Sequence, residues 1–93
     1  MDNELFKLGM EQTRKCLELN PDGDPIACEV AQFSDGDWYT WHTHPRDVPY
    51  PSQEDIDTTR KFHKEYLCIG LVNQDKTICF HESDGFQQIV CEF

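Results

Sequence analysis

Three prolines within seven residues, Pro45, Pro49 and Pro51, limit the folds that this sequence can adopt. Proline has no backbone N–H and a fixed φ angle, so this segment cannot form a helix or a central strand. A strand-like run at 38–42 ends just before the prolines, and helical spacing begins at Ser52 just after them. The prolines therefore predict a loop that delivers the chain from a strand into a helix.

Hydrophobic periodicity predicts the other elements around this loop. Apolar residues recur at three- and four-residue intervals between positions 4 and 19, which indicates an amphipathic helix. The predicted elements are a helix at 4–19, a β-hairpin formed by 26–33 and 38–42, a second helix at 52–64, and a meander of three strands at 66–72, 77–82 and 86–93. We expect one α+β domain spanning residues 1–93, because so short a chain cannot build a second core.

The five cysteines of the sequence include no Cys-x-x-Cys pair. An odd number without paired spacing fits neither a closed disulfide framework nor a four-cysteine zinc site. We therefore expect reduced, mostly buried thiols. A cytoplasmic protein is the corresponding expectation for localisation, because the first residues also lack the basic start and apolar stretch of a secretory signal.

Charge and hydropathy argue against two classes of partner. Eighteen acidic and eight basic side chains give a net charge of −10, which would repel the phosphates of a nucleic acid. No run of residues approaches the roughly 20 apolar residues of a membrane span. We expect binding to neither nucleic acid nor membrane.

The chemically distinctive part of the sequence is the pattern His42-x-His44-x7-Ser52-x-x-Asp55. Residues two apart in an extended strand point to the same face, so both imidazoles can bind one ion at about 2.0 to 2.1 Å. Asp55, one helical turn beyond Ser52, can supply a third, oxygen ligand. Three protein ligands leave a tetrahedral Zn²⁺ one position for water, as in catalytic zinc sites. The spacing therefore predicts a hydrolase with a zinc cofactor.

The predicted hairpin offers a general base for this site. If Asp35-Gly36 is the two-residue turn, Glu29 lies directly opposite His42, and opposed Cβ atoms are about 4.5 to 5.5 Å apart. The Glu29 carboxylate could then take a proton from a water on the metal without being a ligand itself. Glu18, at the end of the first helix, is the alternative base.

A purely structural role also fits part of this pattern. Ser-x-x-Asp at the start of a helix is a common capping pattern, in which Ser52 accepts hydrogen bonds from backbone N–H groups and Asp55 suits the helix dipole. The full combination favours the metal site, because four specified residues at three fixed offsets arise by chance with a probability on the order of one in a thousand or less.

The segment His42-Thr-His-Pro with Ser52 and Asp55 resembles the JAMM (JAB1/MPN/Mov34, MPN+) metalloprotease motif, in which an upstream Glu precedes His-x-His-x7-Ser-x-x-Asp. The resemblance covers about residues 26–82. It implies a cytidine-deaminase-like α/β sandwich and zinc-dependent hydrolysis of the bond after the C-terminal Gly-Gly of ubiquitin or a ubiquitin-like modifier. The roles that it implies by position are zinc ligand for His42, His44 and Asp55, oxyanion donor for Ser52, and general base for Glu29.

The sequence leaves two other functions open. One is a hydrolase that processes sulfur carriers or small peptides, since related proteins trim residues from carrier-protein C-termini. The other is a non-catalytic scaffold similar to RadC, whose His-x-His-Pro motif also ends in Pro-Ser-x-x-Asp. For the isopeptidase, the expected partners are a ubiquitin-like protein or its conjugates and, because the chain is short, an accessory subunit that helps to hold them.

Overall fold

The computed structural model describes residues 3–33 and 38–93. Its helices and strands are, in chain order, α1 (Asn3–Leu19), β1 (Ala31–Phe33), β2 (Tyr39–His44), α2 (Gln53–Lys61), β3 (Tyr66–Leu71), β4 (Lys76–His81) and β5 (Ile89–Glu92). Short 3₁₀ turns at Pro25–Cys28, Val72–Gln74 and Glu82–Asp84 lie between them. The α+β class predicted from the sequence is confirmed.

All five strands form one sheet in the order β1-β2-β3-β4-β5. The β3, β4 and β5 strands are antiparallel, which confirms the predicted meander. The β2 and β3 strands run parallel, in a register from Tyr39↔Tyr66 to His44↔Leu71. A parallel pair needs a crossover connection, and α2 forms it. This parallel pair, which the sequence analysis does not predict, joins the N-terminal strands to the meander.

The two helices cover opposite faces of the sheet. The face under α1 is filled by Phe6, Met10, Tyr39, Trp41, Cys68, Val72 and Cys79. The opposite face carries a second apolar cluster, to which α2 adds Ile56; its members are Leu67, Ile69, Leu71, Ile78, Phe80 and Phe86. Side chains alternate along a strand. Because Tyr39 and Trp41 face α1, every second residue of β2 starting from Thr40 points toward α2. These residues are Thr40, His42 and His44.

The first strand of the predicted hairpin is wrong over most of its length. The sequence analysis expects a strand at 26–33, but Pro25–Cys28 is a 3₁₀ turn and only Ala31–Phe33 pairs with β2. The turn starts with a proline, which favours the first position of a helix, and a disulfide at its last residue bonds it to α1. Both features keep these residues out of the sheet.

The hairpin register also differs from the prediction, by two residues. Ala31, and not Glu29, lies opposite His42. A shift of two leaves the alternation of the pairing unchanged, because the side-chain period of a strand is two. The predicted turn at Asp35-Gly36 lies outside the described residues.

The expectation of reduced thiols is wrong for four of the five cysteines. Cys16 in α1 is bonded to Cys28, and Cys68 in β3 is bonded to Cys79 in β4, so that Cys91 alone is free. Cys68 and Cys79 are direct register partners, a proximity that their linear spacing does not reveal. Disulfides persist in oxidising compartments, so the cysteines give no support to the predicted cytoplasmic location.

Neither α1 nor α2 has the length and apolar character that crossing a membrane requires, and the described ranges contain no other α-helix. The α1 helix confirms the predicted helix at 4–19. The α2 helix begins as predicted after Ser52 but ends at Lys61, and His63 then adopts a left-handed φ of 55° that a helix cannot continue through.

Candidate metal centre

The β2 strand presents both histidines to the face that α2 covers. His42 is buried and His44 is partly buried, and their Nε2 atoms are 2.8 Å apart. Both lie toward the carboxyl end of the parallel β2–β3 pair, where open sheets of this kind commonly bind ligands. The two rings therefore aim a nitrogen each at the same point.

The proline-rich loop fixes the orientation of the His44 ring. His44 Nδ1 lies 2.8 Å from the carbonyl oxygen of Val48, which stands between two of the three prolines. A carbonyl only accepts hydrogen bonds, so Nδ1 carries a proton and donates it, and in the neutral ring the Nε2 lone pair faces the site. Metal-binding histidines usually donate their other ring N–H in this way.

The N-terminus of α2 positions the third side chain. Asp55 N–H donates to Ser52 Oγ at 3.1 Å, and Ser52 N–H donates to Asp55 Oδ2 at 2.9 Å, which together form a capping box. The same Oδ2 atom lies 3.2 Å from His42 Nε2 and 3.3 Å from His44 Nε2. The structural role expected for Ser52 and Asp55 is thus confirmed, and it directs the Asp55 carboxylate at the histidines.

A pair of threonines connects α2 to β2 behind this site. Thr59 donates its hydroxyl to the backbone carbonyl of Asp55 at 2.9 Å, and its Oγ1 lies 2.6 Å from Thr40 Oγ1. Both threonines are buried. The sequence analysis does not single them out, although Thr40 precedes His42 by two strand positions and Thr59 follows Asp55 by one helical turn.

Three donor atoms converge at distances that suit a metal ion. The Nε2 atoms of His42 and His44 and the Oδ2 atom of Asp55 form a triangle with sides of 2.8, 3.2 and 3.3 Å. Ligands at about 2.0 to 2.1 Å around a tetrahedral ion are separated by roughly 3.3 Å. Together with Glu29, these residues form a cluster in which all the potential ligand atoms lie within 4.8 Å of one another. The cluster could hold a metal ion.

Glu29 reaches the cluster by a route other than the predicted one. It follows the Pro25–Cys28 turn and precedes β1, and its exposed side chain lies at the edge of the metal-ligand cluster. Its neighbour Val30 is tied to β2 because Val30 N–H donates to Thr43 Oγ1 at 2.7 Å and Thr43 N–H donates to the Val30 carbonyl at 2.8 Å. The alternative base, Glu18, lines a separate depression on the exposed side of α1.

Electrostatic coupling within the cluster shifts two pKa values. Burial alone would raise the pKa of Asp55, but hydrogen bonds from His42 and His44 outweigh burial and hold that pKa well below 3.8. Burial would lower the pKa of His44, but its hydrogen bonds to Asp55 and Val48 and the nearby carboxylate charges raise that pKa above 6.5. An anionic Asp55 thus favours a cation at the histidines, whether a proton or a metal ion.

An open cavity of about 690 Å³ gives access to the cluster. Besides the four clustered residues and Ser52, its walls include Val48 and Tyr50 from the proline-rich loop and Thr58 from α2. Tyr50 lines this cavity, whereas Trp41 is buried under α1 and Trp38 packs against the same core. The cavity is large enough for a short stretch of polypeptide.

Comparison of the chain with protein-family models, curated proteins and solved structures finds no match. The resemblance to the JAMM motif therefore stays a prediction. The chemistry of the site rests on its own geometry, which brings together four of the five predicted site residues as potential ligands and places the fifth, Ser52, beside them.

Proposed function

We propose that this protein is a zinc-dependent metallopeptidase of the JAMM type, which hydrolyses an amide bond in the cavity beside β2 and α2. One observation carries the proposal: two imidazole nitrogens and a carboxylate oxygen converge within 3.3 Å of one another, with a further carboxylate at their edge. Without a metal ion, the single Asp55 carboxylate is the partner of both imidazoles, whereas a bound cation would give all three donor atoms a common partner.

The donor set supports zinc as the metal. His42, His44 and Asp55 would be its protein ligands, and two imidazoles with one carboxylate match the three-ligand sets of catalytic zinc sites. Zinc bound there supplies an activated water and polarises the scissile carbonyl group. The hydrogen bond from His44 to the Val48 carbonyl holds the Nδ1 proton away from the site, so that the Nε2 lone pair of the neutral ring is directed at the metal position.

Glu29 is the general base in this proposal. Its carboxylate lies within 4.8 Å of the other potential ligand atoms and faces the solvent-accessible side of the cluster, so it can hydrogen-bond to the attacking water. It would accept a proton from that water and return it to the leaving amine as the C–N bond breaks. Both transfers occur at the same carboxylate, so no further acid is required.

Ser52 stabilises the oxyanion in this proposal, and its capping role leaves it free to do so. The hydroxyl oxygen accepts the Asp55 N–H, but the hydroxyl proton is not used in that bond. Ser52 lines the cavity and can donate this proton to the developing negative charge. Loss of one such donor typically costs on the order of a hundred- to a thousandfold in kcat.

The proposed substrate is a ubiquitin-like protein or its conjugate, cleaved after the C-terminal Gly-Gly. The motif resemblance supports this substrate class, as it supports the cytidine-deaminase-like fold. The cavity walls formed by Val48 and Tyr50 offer apolar contact to an extended tail. An accessory subunit that holds the body of the modifier belongs to the same proposal.

Metal analysis combined with a cleavage assay tests the proposal. We expect about one equivalent of zinc in purified protein and hydrolysis of a Gly-Gly isopeptide substrate that stops with a chelator and returns with added zinc. Cleavage restricted to short peptides or carrier-protein C-termini would instead identify the processing hydrolase. Stoichiometric zinc without turnover on any ubiquitin-like fusion would overturn the proposal and favour the RadC-like scaffold.

A further inference from the structure

The residue that the proposed function needs as a base is the one that regular secondary structure holds least. His42 and His44 lie on a strand inside the sheet, and Asp55 is fixed by a capping box. Glu29 lies between a 3₁₀ turn and the three-residue strand β1, with its side chain exposed. Its position must therefore come from the residues on either side of it.

Both neighbours of Glu29 are anchored on the opposite face of the sheet, toward α1. Cys28 is bonded to Cys16 with a Cα–Cα distance of 5.6 Å and is 5% exposed. Val30 is held by two hydrogen bonds to Thr43, whose hydroxyl lies 2.9 Å from that of Thr13 in α1. With its neighbours fixed toward α1, the intervening Glu29 is directed toward the metal ligands.

The two sides of Glu29 differ in how they are held. C-terminal to Glu29, the backbone is held by the Val30–Thr43 hydrogen bonds and then by the pairing of β1 with β2. On the amino side, the ion pair between Asp24 and Arg46 spans 3.6 Å, but its side chains are 63% and 61% exposed, so solvent screens it. The covalent bond to Cys16 is the strong constraint on the amino side of Glu29.

We infer that the Cys16–Cys28 disulfide positions the general base, so that Cys16 and Cys28 are positioning residues for Glu29. This inference rests on the proposed function for its catalytic consequence. Without the bond, the turn that precedes Glu29 can move away from α1, and the carboxylate leaves the edge of the cluster for much of the time. The three metal ligands are held by β2 and α2, so they keep their places.

The experiment compares two variants that each lose one disulfide. Cys16→Ser/Cys28→Ser removes the proposed positioning bond. Cys68→Ala/Cys79→Ala is the matched control, because it removes a disulfide that closes a loop of similar length, 11 residues against 12, inside the sheet. Cys16→Val/Cys28→Ala is a second test variant that keeps apolar contact between α1 and the turn without the bond.

The first measurement does not depend on catalysis. The protein is loaded with Co²⁺ or with diamagnetic Zn²⁺, and the pseudocontact shifts of backbone amides are read by NMR. In both Cys16/Cys28 variants we expect the shifts of the Ala27 and Glu29 amides to fall by about half or more, since the turn samples many positions, while those of Thr43 and Thr58 stay. In the control variant all four are expected to stay.

The second measurement separates metal binding from turnover. We expect the Zn²⁺ dissociation constant of the Cys16/Cys28 variants to stay within about threefold of the parent and kcat to fall about ten- to a hundredfold with little change in KM. Unchanged Glu29 shifts, or an equal loss of Zn²⁺ affinity and kcat, would overturn the inference. Failure of both variants to fold would also overturn it, because the bond would then support the whole fold. Parent protein that binds zinc but hydrolyses nothing refutes the proposed function, while the NMR shifts still decide the positioning.

Discussion

The proposed function gives individual residues of the centre two different roles, metal binding and proton transfer, and substitution can separate them. His42, His44 and Asp55 place their donor atoms within 3.3 Å of one another, whereas Glu29 stands at the edge of the cluster. Removal of a ligand should therefore abolish metal binding. Removal of the base should not.

Glu29→Gln tests the base directly. The amide keeps the size of the side chain but cannot accept a proton, so we expect unchanged zinc content and a loss of about 10²- to 10⁴-fold in kcat. Glu18→Gln is the matched control, because Glu18 lies on α1 away from the cavity and was the alternative base. Metal content by elemental analysis and steady-state cleavage kinetics provide the readout. Full activity of Glu29→Gln, or inactivity of Glu18→Gln, would show that the base is misassigned.

The shifted pKa values predict the pH dependence of stability for the metal-free protein. Asp55 has a lowered pKa, so its contribution is present above about pH 3.8 and is lost as the pH falls below that value. His44 has a raised pKa, so its contribution is present below about pH 6.5 and is lost as the pH rises through its higher folded value. The pair should therefore stabilise the metal-free protein most between these two limits.

Urea unfolding of chelator-treated protein across this range measures the effect. The control is His44→Asn, which removes the titrating ring, and its free energy of unfolding should decline less than that of the parent above about pH 6.5. Parallel pH profiles for the parent and the variant on the alkaline side would contradict the coupling of His44 to Asp55. Zinc should reverse the alkaline decline in the parent, since metal binding needs the unprotonated ring.

A hydrogen bond between the hydroxyl groups of Thr40 and Thr59 connects strand β2 to helix α2. The direction of this hydrogen bond leads to a testable prediction. Thr59 donates its proton to the Asp55 carbonyl, so Thr40 is the donor in the bond between the two hydroxyls. Thr59→Val removes two hydrogen bonds and deprives the buried Thr40 hydroxyl of its acceptor. Thr40→Val removes one. We expect Thr59→Val to cost about 1 to 3 kcal/mol of stability and Thr40→Val less.

The same pair of variants should affect the metal centre unequally. Thr59→Val removes the hydrogen bond from the Thr59 hydroxyl to the backbone carbonyl of Asp55, so the zinc dissociation constant of this variant should rise several-fold. The zinc dissociation constant of Thr40→Val should change less. Urea unfolding and zinc titration measure the two effects. An equal cost for both variants would mean that the hydroxyl bond runs in the opposite direction or contributes nothing.

The sequence predicts those elements whose pattern is local and misses those that depend on contacts between distant residues. The periodicity of α1 and the start of α2 at Ser52 are encoded in neighbouring residues, and so is the meander. Most of the strand expected at 26–33 does not form, because the disulfide from Cys28 to Cys16 in α1 competes with pairing to β2. The parallel pairing of β2 with β3 is also non-local, since a 21-residue chain segment, 45–65, separates the end of β2 from the start of β3.

The candidate metal centre is predictable from the sequence to the extent that it depends on spacing. The two-residue spacing of His42 and His44 on β2 places both imidazoles on one face of the sheet. Asp55, one helical turn after Ser52, lies on the surface of α2 that faces them. The sequence places Glu29 opposite His42 through a strand pairing that does not form, and Glu29 instead reaches the cluster from the segment between the 3₁₀ turn and β1. The Val48 carbonyl and the Thr59 hydroxyl act through bonds that only the folded chain creates.

The molecule as a whole is asymmetric across its sheet. The face under α1 is closed by packed aromatic residues, with Phe6 stacked on Trp41 and edge-to-face with Tyr39, both at a centroid distance of 5.3 Å. The face under α2 is apolar over the meander and polar over β2, where the centre opens to solvent. Most of the stabilising apolar contact near β2 therefore lies behind the histidines, and stability and metal binding should respond separately to substitutions on the α1 face.

Gly70→Ala tests this separation. Gly70 lies in β3 opposite Thr43 of β2, and a Cβ atom there would lie 2.8 Å from the Trp41 ring and 3.3 Å from Met10. The ring cannot move freely, because it is stacked on Phe6 and its Nε1–H donates to Thr77 at 3.2 Å.

An added methyl group at this position should thus cost about 1 to 3 kcal/mol of stability, the usual cost of overpacking. The zinc dissociation constant should change little, since the ligands lie on the other face. Gly23→Ala, at an exposed turn where a Cβ atom would lie 3.3 Å from Asn20, is the control and should cost less than Gly70→Ala, since no buried ring has to move. Urea unfolding measures the loss of stability, and a parallel zinc titration measures the dissociation constant. If Gly70→Ala weakened zinc binding as much as it destabilised the fold, the two faces would be one cooperative unit, and the position of the histidines would depend on the packing of Trp41 behind them.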